Sequence, residues 1–120
     1  MAAALRLSFG DLAIDLEHYR VLLADRPLVL SYREYALLVY LAGRAGQVVR
    51  KRQLLEEGLG RHDVGGIRMV DENIRHLKSV LERDGRSFIE SVDTTGYRFE
   101  PRTAFPSLPV GGGSERSNDL

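Results

Sequence analysis

The sequence contains no cysteine, so it offers no disulfide, no thiolate ligand for zinc and no cysteine nucleophile. It also has no uninterrupted apolar run of about 18 residues, the length that indicates a transmembrane helix. The apolar run at the N-terminus is too short for a signal peptide, and Asp11 interrupts it. We therefore expect a cytoplasmic protein with no membrane partner.

An excess of positive charge is absent as well, since 17 basic residues balance 17 acidic ones. A domain that binds nucleic acid is often distinctly basic. Residues 31–60 hold five basic against three acidic residues, and residues 61–100 hold seven against eight. Any basic surface must therefore come from the way in which charges are arranged on the faces of the fold.

Signals for catalysis and for metal binding are lacking too. His18, His62 and His76 are far apart and form no His-x-x-x-His or Glu-x-x-His pair, so the sequence predicts no metal site. Asp11 and Asp15 fit a solvated face better than a catalytic carboxylate pair, and there is no nucleophile elbow or phosphate loop. We expect one domain that is not an enzyme and takes no cofactor and no small-molecule substrate.

The most informative stretch is the segment 68–83, which has the spacing of an amphipathic helix. Val70, Ile74, Leu77 and Leu81 recur at intervals of four, three and four residues, as on the buried face of a helix. At about 100° per residue, the opposite face collects groups that can bond to phosphates and base edges: Arg68, Glu72, Arg75, His76, Ser79 and Arg83. Taken alone, this pattern also fits an ordinary surface helix with a solvated outer face.

Two short strands follow this helix. Residues 88–92 (FIESV) and 97–100 (YRFE) flank the sequence DTTG, which predicts a tight turn that includes Gly96. A helix followed by a C-terminal hairpin is the arrangement of the recognition helix and wing of a winged helix-turn-helix. The hairpin over residues 88–99 is the expected wing.

The first half of the chain supplies the other elements. Four short apolar segments, LRLSF, LAIDL, YRVLL and LVLS, predict an antiparallel sheet whose last turn is Asp25–Pro27. Ser31 and Glu34 have the spacing of a capping box, so a first helix is expected from Ser31 to a stop at Gly46. Residues 48 and 49 form a brief extended link, and a second helix is expected over residues 51–59. The expected core positions of the two helices are Leu37, Leu38, Leu41, Ala45, Leu54 and Leu55.

Together these elements predict an α+β fold. It is a winged helix-turn-helix with an N-terminal four-stranded antiparallel sheet, three helices and a C-terminal β-hairpin wing. The domain is expected over residues 1–100. Residues 101–120 are rich in proline and glycine and have little periodicity, so they are interpreted as a flexible tail or linker.

Four motifs resemble the DNA-binding domain of OmpR/PhoB-type response regulators over about residues 5–100. They are the Ser-x-x-Glu start of the first helix, Gly-x-Val-Val at residues 46–49, Arg-x-Val-Asp-x-x-Ile-x-x-Leu from Arg68, and Gly-Tyr-Arg at residues 96–98. The resemblance implies a sequence-specific transcription regulator that binds double-stranded DNA. Helix 68–83 would enter the major groove, with the hairpin tip near the minor groove. In this family, homodimers often bind tandem half-sites.

The same resemblance indicates which positions face DNA. Contacts with phosphates or bases are implied at the start of the second helix, on the long helix and on the wing: Arg50, Lys51, Arg68, Asn73, Arg75, His76, Lys78 and Ser91. Ser79 joins them because it lies on the outward face of the long helix. The resemblance further implies that the loop before this helix contacts RNA polymerase, here at Gly60, Arg61, His62 and Asp63.

Three of the positions assigned to the DNA surface depart from the family pattern. Asp93 stands where the wing often has arginine, Thr94 replaces the usual first glycine of the wing turn, and Glu72 faces outward where a neutral side chain is common. A carboxylate at about 4 Å from a phosphate is repelled by about 1 kcal/mol in water, and salt weakens that repulsion. Glu72 also has a second interpretation, in which it accepts a hydrogen bond from cytosine N4 in the major groove.

Two alternatives stay open at this point. Full-length response regulators carry a receiver domain, and this sequence contains none. The chain is therefore either an excised effector domain or a stand-alone protein or fragment of another architecture. The rival function is a winged helix repurposed as a protein-interaction or dimerisation module, which the balanced charge, Asp93 and Glu72 favour.

Overall fold

The computed structural model of the chain describes residues 5–63, 65–83 and 85–102. These residues form two antiparallel sheets and three helices, with a C-terminal hairpin, which confirms the predicted winged-helix fold. The strands are β1 (Arg6–Phe9), β2 (Leu12–Asp15), β3 (Arg20–Leu23), β4 (Arg26–Pro27), β5 (Val48–Arg50), β6 (Ser87–Val92) and β7 (Gly96–Arg102). The helices are α1 (Tyr32–Ala42), α2 (Lys51–Gln53, continued by a π-helical turn over Leu54–Gly58) and α3 (Gly66–Leu81).

The N-terminal sheet is a meander with the strand order β1-β2-β3-β4. The prediction of a fourth strand over residues 28–31 is wrong, because β4 pairs Arg26 and Pro27 with the end of β3. The reason lies in the connection between these strands. Ala24 and Asp25 both have positive φ, 53° and 67°, which gives a two-residue hairpin turn that returns the chain directly into the sheet.

Helix α1 begins with the predicted capping box. The Ser31 Oγ accepts a hydrogen bond from the Glu34 N–H at 3.1 Å, and the Glu34 Oε1 accepts one from the Ser31 N–H at 2.9 Å. The end of the helix differs from the prediction, because α1 stops four residues before Gly46. Gly46, with φ of +85°, donates its N–H to the Phe99 carbonyl of β7 at 2.9 Å, which fixes a turn into β5. Ala45 lies in that turn and is exposed, so its assignment to the core is wrong.

Helix α3 has the buried face that its spacing predicts. Four side chains on this face are at most 1% exposed and pack into the common core: Val70, Ile74, Leu77 and Leu81. The helix starts and ends two residues earlier than the predicted range 68–83. Its end is set by Glu82, whose Oε2 accepts the N–H groups of Phe88 and Ile89 at 2.8 and 3.0 Å and so directs the chain toward β6.

The C-terminal sheet has the strand order β5-β7-β6. β5 contains the Val48–Val49 segment, and its pairing with β7 places Val49 opposite Tyr97 and Arg50 opposite Gly96. The prediction that Gly96 belongs to the tight turn is wrong, because it is the first residue of β7. A Cβ on Gly96 would lie 1.9 Å from the Val49 carbonyl oxygen, so glycine is required here for the close approach of β5.

The described residues end with β7, which runs two residues past the predicted boundary at residue 100. The rest of the predicted tail, residues 103–120, lies outside the described residues. Within the described part of the chain, no helix is long and apolar enough to cross a membrane. Nor do three or more His, Asp or Glu residues there come together in a way that could hold a metal ion.

Candidate nucleic-acid interface

The outward face of α3, with the turn that follows it, presents a local excess of positive charge. Every residue predicted for this face is exposed: Arg68, Glu72, Arg75, His76, Ser79 and Arg83. This set contains three arginines and one carboxylate. Among the described residues, the guanidinium groups of Arg68 and Arg75 find no hydrogen-bond or ion-pair partner, so they are available to a ligand. Although the chain as a whole has no net charge, this surface is therefore positively charged.

Asp71 joins this helix to α2 and to the wing, a role that the sequence analysis missed. Its Oδ1 accepts a hydrogen bond from the Tyr97 hydroxyl of β7 at 2.6 Å, and the Lys51 Nζ lies 3.1 Å from the same oxygen. Burial, and then the hydrogen bond to Asp71, raises the pKa of Tyr97, so its hydroxyl keeps its proton and remains a donor. The three elements that carry the predicted DNA contacts are thereby connected through one carboxylate.

A concavity lies beside Asp71, between α3, the start of α2 and the wing. Its polar lining holds three cations, two hydroxyls and one carboxylate, which Lys51 and Tyr97 contact: Lys51, Arg75, Lys78, Ser91, Tyr97 and Asp71. Arg50 immediately precedes Lys51 in the chain and is exposed. Ammonium, guanidinium and hydroxyl groups are the side-chain donors that contact phosphate oxygens in protein–DNA complexes. The concavity is therefore chemically suited to an anionic oxygen.

The tip of the wing is a turn between β6 and β7. The Thr95 N–H donates to the Val92 carbonyl at 3.0 Å, and the Thr95 carbonyl accepts the Lys51 N–H at 3.3 Å, which ties the tip to the start of α2. Asp93 and Thr94 are exposed in this turn. Asp93 has φ of +50°, a left-handed conformation that aspartate adopts more readily than most residues. The turn thus accounts structurally for an aspartate at the wing tip.

Three other residues predicted to contact DNA use polar atoms within the domain. The Asn73 Nδ2 and the Ser79 Oγ donate to carbonyls of their own helix at 2.8 and 2.7 Å. The His76 Nδ1 contacts the Oε2 of Glu34, the buried capping residue of α1. The His76 side chain is still 62% exposed, so one edge of the ring faces solvent while the other contacts α1.

The loop predicted to contact RNA polymerase connects α2 to α3. The Arg61 Nε donates to the Asp63 carboxylate at 2.9 Å, and this bond lowers the pKa of Asp63. The Arg61 Nη1 also lies 3.2 Å from the Met69 Sδ, which holds the loop against the first turn of α3. Gly60 takes φ of +68°, and His62 is exposed.

Comparison with known sequences identifies the family of this chain. Residues 25–99 match the model of the family described as "Transcriptional regulatory protein, C terminal". The transcriptional regulatory protein SrrA of Staphylococcus aureus is 33% identical to this chain over 100 residues, which are 81% of the chain. The match covers 42% of SrrA, so the chain spans about two fifths of the length of this curated relative.

Solved structures show the same fold. The RstA DNA-binding domain of Klebsiella pneumoniae, in complex with the RstA box, is 32% identical with a TM-score of 0.71, over 80% of this chain and 97% of that one. The response regulator DrrB of Thermotoga maritima, an OmpR/PhoB homologue, is 31% identical with a TM-score of 0.71, over 79% of this chain and 44% of that one. The chain belongs to the family of C-terminal domains of transcriptional regulatory proteins, of the OmpR/PhoB type.

Proposed function

We propose that this chain is a sequence-specific DNA-binding domain of a transcriptional regulator. Helix α3 enters the major groove with its outward face, and the β6–β7 hairpin lies beside the minor groove. The observation that carries the proposal is the exposed face of α3, on which Arg68 and Arg75 bond to none of the described residues. This face lies next to a concavity whose lining includes Lys51 and Lys78. The family to which the chain belongs supports the same conclusion.

The proposed DNA contacts fall into two groups, those with base edges and those with backbone phosphates. Arg68 and Arg75 extend from the exposed face of α3 and can read base edges, since arginine forms bidentate pairs with guanine O6 and N7. Lys51, Lys78 and Ser91 line the concavity on the flank of α3, where they would contact backbone phosphates. Arg50, Asn73, His76, Ser79 and Thr94 are proposed to add contacts at the borders of this surface. A cytoplasmic location is proposed from the same family membership.

Three further assignments accompany this proposal. The loop at Gly60, Arg61, His62 and Asp63 is proposed to contact RNA polymerase, because it lies next to the start of α3 and presents His62 outward. Homodimers on tandem half-sites are proposed from the family alone. Residues 103–120, the part of the predicted tail that follows β7, are proposed to be a linker on the basis of their composition.

The decisive experiment for the proposed function is a titration of labelled duplex DNA with the chain at two salt concentrations. Neutralisation of phosphates by lysine and arginine releases counterions, so the binding constant should fall steeply as salt rises. The duplexes should include a pool with a randomised core, because the operator is to be identified. Absence of binding at low salt, or binding that salt does not weaken, would favour the protein-interaction module instead.

Replacement of Arg75 by alanine should weaken specific DNA binding by about 1–3 kcal/mol if this residue reads a base. The thermal midpoint should hardly change, because Arg75 is exposed and makes no hydrogen bond or ion pair with the described residues. The measurement pairs a binding titration with a thermal melt. Arg6→Ala is the matched control, since Arg6 is an exposed arginine on the N-terminal sheet and should affect neither quantity. A loss of stability without a loss of affinity would mean that Arg75 belongs to the core-facing side.

Replacement of Asp93 by arginine should raise affinity by about tenfold or more and steepen the salt slope by about 1–2 units. The change removes a carboxylate that phosphates beside the minor groove repel, and adds a cation in its place. Because Asp93 has φ of +50°, arginine should also cost about 1 kcal/mol of fold stability. Asp93→Asn separates the two effects, since asparagine tolerates this conformation and removes only the charge. Equal affinities of wild type and both variants at low salt would place the wing away from DNA.

A further inference from the structure

The carboxylate of Glu72 lies close to the apex of the outward face of α3. The buried side chains Val70, Ile74, Leu77 and Leu81 define the direction of the core. At about 100° per residue, Glu72 points roughly 170° away from their mean direction. Arg68 and Arg75 lie to one side of it, toward Asp71 and the wing, and His76 lies on the side of α1. Among the charged residues of α3, Glu72 therefore points most directly away from the core.

Two arginines and one histidine lie within about one helical turn of Glu72 on α3. Arg68, Arg75 and His76 are located four residues before it and three and four residues after it. Even so, its carboxylate forms no hydrogen bond or ion pair with any of the residues that the structure describes. Ser79, the other residue near the apex, uses its hydroxyl to bond the His76 carbonyl at 2.7 Å. Among the described residues at the apex, Glu72 supplies the anionic acceptor.

A helix that lies in the major groove turns its apex toward the base edges and its flanks toward the phosphates. A carboxylate at the floor of the groove loses water and must find a hydrogen-bond donor there. Cytosine N4 and adenine N6 are the donors that the major groove offers. Adenine carries the N7 acceptor on the same base as its N6 donor, which suits an amide better than a carboxylate. Cytosine presents its N4 donor in the major groove with no acceptor on its own ring. The position of Glu72 and the chemistry of the base edges therefore favour a hydrogen bond with cytosine over a role in which Glu72 only repels phosphates.

We infer that Glu72 is a specificity-determining residue that accepts a hydrogen bond from the N4 amino group of a cytosine. The inference rests on the proposed function, since it needs α3 in the major groove. Arg75 lies about 4.5 Å farther along the helix axis, which corresponds to about one to two base pairs of DNA. The cytosine should therefore lie within about two base pairs of the base that Arg75 contacts.

The test is a selection from a pool of duplexes whose randomised core spans about two helical turns, carried out with four forms of the chain. The wild type should enrich a site with cytosine at one position. Glu72→Gln should shift that position toward adenine, because glutamine matches N6 and N7, and Glu72→Ala should lose the preference there. Glu17→Gln carries the same charge change at an exposed site after β2 and should enrich the wild-type site.

A second measurement addresses the contact atom. N4-methylcytosine placed at the preferred position should weaken wild-type binding by about tenfold, as for a mismatched base pair, and should leave Glu72→Ala unaffected. An unchanged preferred site for all forms, with uniformly tighter binding by Glu72→Ala, would show that Glu72 only repels phosphates and would overturn the inference. A wild type that enriches no sequence at all would instead overturn the proposed function on which the inference rests.

Discussion

Leu77→Ala is expected to lower the free energy of unfolding by about 2–5 kcal/mol, enough to unfold a marginally stable domain of this size. Leu77 is fully buried at the centre of the α3 face that packs into the common core. Truncation removes buried apolar area and leaves a cavity that the surrounding side chains fill only in part. The measurement is the denaturant midpoint followed by circular dichroism.

Leu5→Ala provides the matched control for this prediction. Leu5 is 58% exposed next to β1, so the same substitution should change stability by no more than about 0.5 kcal/mol. A Leu77→Ala protein that unfolds cooperatively at the wild-type midpoint would mean that α3 is rotated about its axis. Such a rotation would also remove the outward face on which the proposed DNA contacts depend.

Gly96→Ala is expected to destabilise the C-terminal sheet by about 1–3 kcal/mol or more, although it adds a single methyl group. The new Cβ would lie 1.9 Å from the Val49 carbonyl oxygen and 2.9 Å from the Arg50 Cα. These are backbone atoms, so no side-chain rotamer can relieve the clash and the pairing of β5 with β7 must open. Hydrogen exchange at the amides of residues 96–98 should accelerate together with the fall in the denaturant midpoint.

Gly65→Ala tests whether the effect is specific to this position. A Cβ on Gly65 would meet no atom within 4 Å, and its φ of −76° is open to any residue. This substitution should therefore be neutral or stabilise the fold by about 0.4–1 kcal/mol. If the two alanine variants have the same stability, β5 and β7 do not approach each other as closely as the structure indicates. Gly96→Ala should also weaken DNA binding, because β5 leads directly into Lys51.

The buried faces of the helices could be predicted from the sequence because helical periodicity is a local property. The spacing of Val70, Ile74, Leu77 and Leu81 contains the information by itself, and so does the Ser31–Glu34 capping box. Element ends were predicted less well, because they depend on contacts with distant segments. The Gly46 bond to Phe99 ends the turn after α1, and no pattern near residue 46 reveals it.

The candidate site shows the same limit. The outward face of α3 followed from one helix, but the bonds from Asp71 to Lys51 and Tyr97 span 20 and 26 residues. A carboxylate at the flank of a helix has no periodic signature, so sequence spacing does not distinguish it from a solvated residue. The sequence DTTG likewise predicts Gly96 in a turn, because sequence alone does not show the approach of β5.

The bonds of Asp71 have a consequence for the energetics of DNA recognition. Because this carboxylate connects α3, α2 and the wing, the conformational entropy of the wing is lost during folding, before any DNA is encountered. In the proposed complex, α3 in the major groove and the wing beside the minor groove then keep a fixed separation. A duplex whose helical twist does not match this separation must be overwound or underwound to contact both elements at once. The energy of that deformation depends on the base sequence between the two contacts.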